Sequence, residues 1–265
     1  MRKFLIIVFA ALLFCSCSQY QSVLKSENAA KKFELATKLY ENGKYTKAIR
    51  LFEQLSPTYR GKPQSEKMFY MFAQSYYKTK QYSLSGYQFE SFASGYPKSE
   101  KIQEASYLGA KSYAMLSPVY SLDQTDTYKA IDKLQTFIDA YPDSEYLADA
   151  NSTAKELREK LEQKAFENAK QYNKISDYKS AIVALDNFVS DYPGTPFKEQ
   201  ALFYKFDSTY QLAINSVLAK KEERLDDAKT AYQNLIKFNS SSEYKKQADE
   251  MLANINKDLQ QFQNK

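Results

Sequence analysis

One sentence of the sequence is written five times, and that recurrence restricts the fold more than any other feature. Its clearest copy runs from Tyr178 to Thr195, YKSAIVALDNFVSDYPGT. Ala181, Leu185 and Phe188 fall on one face at helical spacing. Pro193 cannot continue a helix and pushes the preceding residue out of the helical region. Ser85, Phe89 and Phe92 lead in the same way to Tyr96-Pro97-Lys98-Ser99, and Ala130, Leu134 and Phe137 lead to Tyr141-Pro142-Asp143-Ser144. Looser copies carry Ala48, Phe52 and Leu55, then Ala228, Tyr232 and Leu235. Five copies of one helix predict an array of stacked units, because no single helix pair buries its own apolar side.

Each copy is preceded by a second amphipathic segment. In the first repeat Phe33, Ala36, Leu39 and Tyr40 form its apolar side, with Ser26 as the expected N-cap. Asn42-Gly43 ends it and Tyr45 opens the next helix. Small residue, turn glycine, aromatic, alanine, large apolar: this is the tetratricopeptide pattern, in which two antiparallel helices meet closely at Ala36 and Ala48. The fold expected is all-α, a tetratricopeptide-repeat superhelix of about five helix pairs with a C-terminal capping helix from Glu243 to Gln263. Repeat three has a stretched turn, Ser117 to Asp126, which reads either as a functional loop or as a tolerated insertion. From Ser144 to Lys174 there is no Gly or Pro, which predicts one long helix or two nearly collinear ones, about 45 Å in length. In repeat five, helix A is expected from Phe197 to Ala219, with Asp207 where other repeats have Ala73, Ala110 and Ala169. Lys220 to Arg224 then reads as a charged turn before a helix from Leu225 to Phe238.

The N-terminus carries a different message. Met1-Arg2-Lys3 precedes eleven apolar residues, Phe4 to Phe14, too few for a comfortable bilayer span of about 20 residues but suited to a secretory signal. Two cysteines follow. Cys17 has the small Ser16 before it and Cys15 has the bulky Phe14, so Cys17 fits the lipid-bearing residue of a bacterial lipoprotein signal. Plain secretion and an uncleaved anchor are the alternatives. The domain plan is a removed signal at 1–16, a lipidated tether at 17–25, repeats one to three at 26–143, a connecting helix at 144–175, and repeats four and five with the cap at 176–265. Stable anchoring needs more than one acyl chain; the expected group is an N-acyl, S-diacylglycerol modification of Cys17, with no other cofactor.

Composition argues against catalysis. The chain has no His, and both of its cysteines precede the repeats, so the commonest general base, metal ligand and thiol nucleophile are missing. Asp226-Asp227 is a carboxylate pair on an expected exposed turn. The formal charge of +5 has no long basic run with spaced aromatics behind it, so nothing asks for nucleic acid. Only Tyr120 lies in a long inserted loop, which gives little support to glycan binding.

The repeat order, the Tyr-Pro-x-Ser/Thr endings at 96–99, 141–144 and 192–195, the stretched turn, the long helix and Cys17 together resemble the BamD family of outer-membrane lipoproteins of the β-barrel assembly machinery. The resemblance implies an adaptor on the periplasmic side of the outer membrane. It would bind the periplasmic domains of a BamA-type barrel insertase, other assembly lipoproteins and unfolded barrel precursors. The N-terminal repeats would face substrate and the C-terminal repeats the insertase. By register, Phe33, Thr37, Tyr40, Tyr70, Gln74, Tyr77, Tyr107 and Lys111 form an aromatic groove wall, on which a precursor's terminal aromatic could stack while Lys111 or Lys78 meets its carboxylate. Inter-repeat packing is the competing reading of that wall. Lys220, Lys221 and Arg224 are the expected insertase surface. An adaptor of another envelope complex, in cell division or peptidoglycan coordination, is the alternative function.

Overall fold

A computed structural model describes residues 20–263, and the cysteines at 15 and 17 lie outside them. The described residues form helices and no strand. After a short helical segment at 20–25 come α1 (Ala29–Glu41), α2 (Tyr45–Tyr59), α3 (Ser65–Lys78), α4 (Tyr82–Gly95), α5 (Ile102–Ala114) and α6 (Thr125–Ala140). They are followed by α7 (Leu147–Lys174), α8 (Tyr178–Asp191), α9 (Lys198–Ile214), α10 (Leu218–Phe238) and α11 (Lys245–Gln263). Two compact units result. The first runs to Pro118 and resumes at Asp123–Leu157; the second comprises Val119–Leu122 and everything from Arg158. The division therefore falls inside α7, a single 28-residue helix.

The stripes seen in the sequence are the cores. Ala48, Phe52 and Leu55 are buried in the first repeat, Ser85, Phe89 and Phe92 in the second, and Ala181, Leu185 and Phe188 in the fourth. Within the first unit each helix packs on its successor from α1 to α6, and within the second the chain continues α8, α9, α10, α11. Close crossing depends on small residues. A Cβ on Gly86 would stand 3.0 Å from the Tyr113 ring, and one on Gly109 would stand 3.2 Å from Phe89 Cβ, so α4 and α5 meet at a distance that side chains there would forbid.

Turns repeat as faithfully as helices. Gly43, Lys80 and Ser176 hold φ of +71°, +60° and +63°, and the next residue's N–H returns to the carbonyl five back: Lys44 to Leu39, Gln81 to Tyr76, Asp177 to Tyr172. This left-handed stop satisfies the orphan carbonyls of a helix end; only the first repeat uses glycine for it. The Tyr-Pro-x-Ser/Thr endings close the second helix of a pair. Ser99, Ser144 and Thr195 are buried, and each hydroxyl accepts the N–H two residues on, from Lys101, Tyr146 and Phe197. Ser242 does the same for Tyr244 after a segment with no Tyr-Pro, a fourth copy that its sequence disguises.

Several expectations are corrected. The N-cap of α1 is Asn28, whose side chain accepts the Lys31 N–H at 3.0 Å; Ser26 instead accepts the Asn28 N–H. Residues 20–25 are helical rather than a tether, because Tyr20, Val23 and Leu24 share a face that packs on the first core. The long helix starts at Leu147, since Ser144 belongs to the preceding turn, and the cap helix starts at Lys245. Helix α9 ends at Ile214, and Lys220, Lys221, Arg224, Asp226 and Asp227 lie inside α10 rather than in turns. Asn215 and Ser216 break the chain there, and the Lys-Lys-Glu-Glu-Arg run that follows is made of good helix formers. Asp207 is also re-registered. The Ser75, Ser112 and Ser208 hydroxyls all bond the carbonyl four residues back, so Ser208 aligns with Ser75 and Phe206 takes the small-residue place. The small-residue positions are then Ala36, Ala73, Ala110, Ala169 and Phe206, 37 residues apart except for 59 across α7.

Candidate protein-binding surfaces

In the first unit the first helices of successive pairs are joined by a polar ladder. Tyr40 on α1 donates to Gln74 Oε1 on α3. Gln74 Nε2 in turn donates to Tyr70 Oη at 2.6 Å and to Glu104 Oε1 of α5 at 3.3 Å. Tyr107 and Lys111 of α5 both donate to Asp149 Oδ2 near the start of α7, and Lys111 reaches Thr153 Oγ1 at 3.0 Å. The predicted wall residues Tyr40, Tyr70 and Gln74 therefore form one network, and Tyr107 with Lys111 a second.

Their rings are half-buried and engaged. Phe33 stacks on Tyr59 at 5.3 Å and Tyr107 on Tyr146 at 4.7 Å. Tyr40 and Tyr77 meet Tyr45 and Tyr82 edge-on, at 5.6 and 5.8 Å, which repeats one geometry in successive pairs. Thr37 Oγ1 is buried without a partner. Burial raises the Tyr70 and Tyr107 hydroxyls far above the ordinary 10.0, helped by the Glu104 and Asp149 carboxylates respectively. Asp149 is held below its ordinary value by the Lys111 ammonium first and the Tyr107 hydroxyl second. Lys111 is thus already paired, whereas Lys78 is exposed. The competing reading, packing between repeats, accounts for much of what these side chains do. The sequence reading missed Glu104, Asp149 and Thr153; the only signal was a Tyr-x-x-x-Lys pair in want of an acid supplied 38 residues later.

The basic residues of α10 do not act as one patch. Lys220 is exposed, Lys221 pairs with Asp258 of α11 at 2.7 Å, and Arg224 Nη1 donates to Ser216 Oγ at 2.5 Å. Arg224 also lines a cleft of about 250 Å³ with Asp186, Lys205 and Asp227. No group of three or more His, Cys, Asp and Glu side chains among the described residues is arranged to hold a metal ion. No described helix is long and apolar enough to cross a membrane.

The family described as YfiO, outer membrane lipoprotein, matches residues 25–225 and 172–263, nearly all of the described chain. The chain belongs to this family of outer membrane lipoproteins. Among curated relatives, the outer membrane protein assembly factor BamD of Pasteurella multocida is 22% identical over 230 residues, covering 83% of this chain and 88% of that one. A relative from Aquifex aeolicus, provisionally named as the same factor, is 25% identical over 246 residues, covering 90% of this chain and 78% of that one. Among solved structures, the TPR2AB domain of yeast Sti1 aligns with a TM-score of 0.40 at 15% identity, covering 86% of this chain and 98% of that one.

Proposed function

We propose that this chain is an outer membrane protein assembly factor, a non-catalytic adaptor tethered through a lipid on Cys17 with its repeats on the periplasmic side. The observation that carries the reading is the family match across both units, which share one helix-pair architecture. In this reading the first unit receives unfolded barrel precursors along α1, α3 and α5. The polar ladder holds those helices in register while the edges of Tyr40, Tyr70 and Tyr77 remain available to an extended peptide's aromatic side chains. Lys78, rather than the already paired Lys111, would meet the peptide's carboxylate. The second unit engages the barrel insertase, with Lys220 the most available charge on α10.

A C-terminal strand peptide of a barrel protein tests the first half. Binding is expected to fall at least tenfold in the Tyr40→Ala, Tyr70→Ala, Tyr77→Ala triple variant and to persist when all three become Phe. Unchanged binding in a triple-Ala variant that keeps its helical circular dichroism refutes the groove. Pull-down from detergent-solubilised envelope tests the second half: the insertase is expected to co-purify, and its absence alongside division proteins refutes the assignment.

A further inference from the structure

The positive charge of this chain is gathered at one end. Residues 20–50 hold seven basic side chains against three acidic ones, a net +4, whereas residues 51–265 hold 28 against 29, a net −1. Four of the seven converge. Lys31 and Lys38 stand two turns apart on α1, Lys44 lies in the turn that follows, and Lys47 is in the first turn of α2. All four are exposed, and all four line a cleft of about 450 Å³ in the first unit. Glu34 is the one carboxylate on its wall, and Val23 and Leu35, both half-buried, supply apolar lining.

These charges are not spent on partners. Lys111, Lys205 and Lys221 each pair with an aspartate. No ion pair holds Lys31, Lys38, Lys44 or Lys47 among the described residues. Like charges gathered in this way repel one another, and an anion between them relieves that repulsion. The cleft also lies where the chain leaves for Cys17. Tyr20 is one wall of it, is 6% exposed, and donates to the Lys47 carbonyl at 3.4 Å. The Lys47 ammonium stands 5.2 Å from the centre of the Tyr20 ring. Three residues of chain connect Tyr20 back to Cys17, a reach of at most about 11 Å. A lipid on Cys17 would keep the cleft within that reach of the membrane surface, close to the Debye length of about 8–10 Å over which surface charge acts.

We propose that this cleft binds the phosphate of an anionic phospholipid headgroup and so holds the α1–α2 end of the first unit against the bilayer. The ammonium groups of Lys31, Lys38, Lys44 and Lys47 donate to the phosphate oxygens, and the apolar lining takes the glycerol carbons beside them. An acyl anchor fixes only a point, whereas this second contact fixes which face of the protein meets the lipid. The inference rests on the anchor proposed for Cys17.

The test is vesicle co-sedimentation of the chain from residue 17 on, carrying Cys17→Ser so that no acyl group contributes. Binding is expected to vesicles of mixed phosphatidylglycerol and phosphatidylcholine, and not to phosphatidylcholine alone. A lysine at a charged membrane surface is worth about fivefold, so Lys31→Gln with Lys38→Gln is expected to weaken binding about 25-fold. Lys179→Gln with Lys237→Gln removes the same charge from other exposed positions and is expected to leave binding within about twofold. An equal loss in both pairs, or binding indifferent to phosphatidylglycerol, overturns the proposal. So does displacement by inorganic phosphate at an ionic strength where sodium chloride displaces nothing, which would make the ligand a free anion. Mass spectrometry of residue 17 in chain isolated from membranes tests the anchor separately; a bare Cys17 refutes the anchor, and with it the orientation, whatever the vesicles show.

Discussion

Removing one phenol oxygen from each of three equivalent tyrosines isolates the contact that separates repeat four from its neighbours. Tyr76→Phe and Tyr113→Phe each delete a hydrogen bond to a carboxylate while leaving a buried ring in place. A bond to a charged acceptor contributes about 1.5–3 kcal/mol. Glu53 lies at the surface and Glu90 retains Lys133 at 2.8 Å, so water or the ammonium recovers part of that. The expected cost is about 1–1.5 kcal/mol for each variant, which lowers the melting transition of the first unit by ~2–5 °C. Tyr172→Phe removes an oxygen that bonds nothing and is expected to change stability by less than about 0.5 kcal/mol. Scanning calorimetry is the suitable assay because it reads the midpoint and enthalpy of unfolding directly. A Tyr172→Phe loss equal to that of Tyr76→Phe would show that its hydroxyl is already satisfied. Neutral Tyr76→Phe and Tyr113→Phe variants would show that the repeated contact has no energetic weight. Either result refutes the weight assigned here to the repeated tyrosine–carboxylate contact.

Three further outcomes are expected. Lys80→Gly and Ser176→Gly relieve left-handed backbone strain at positions where the first repeat already has Gly43; net of glycine's greater freedom in the unfolded chain, each stabilises by about 0.5–1 kcal/mol, read as a raised denaturation midpoint. Asp149→Asn flattens the acid limb of the first unit's stability. The native carboxyl titrates below the ordinary 3.8, so its contribution is present above that value and is lost as pH falls through the native pKa; an unchanged acid limb refutes the pairing with Lys111. Alkaline titration followed by phenolate absorbance shows a late group of tyrosines. Burial raises Tyr70, Tyr76, Tyr107 and Tyr113 strongly and Tyr244 to about 12, so the unfolded chain releases these protons first and stability declines from about pH 10 upward.

Family membership gives the repeated architecture a setting but does not say which side chains meet a partner. The most conspicuous aromatic residues, Tyr40, Tyr70 and Tyr107, are engaged with neighbouring repeats. Tyr87, Tyr128 and Tyr172, equally ordinary in the sequence, are more exposed.

The sequence by itself determined the helices, their ends and the recurrence of the pair. Ala48-Phe52-Leu55 and its copies carry the helical period, while Gly43 and the Tyr-Pro-x-Ser/Thr endings act through their own backbone; all of this is local chemistry. Local pattern also misled: Lys220 to Arg224 reads as a turn but is helical, and Asp207 reads as the small-residue position until the serine hydroxyls give that place to Phe206. Only the tertiary structure decided which acid answers which tyrosine, since Glu53, Glu90 and Asp149 lie 23 to 42 residues from their phenols. It alone revealed that Leu134 and Phe137 of α6 are buried with Ala150, Ala154 and Leu157 at the start of α7, because such a contact depends on how a helix packs on its successor and not on the period of either one.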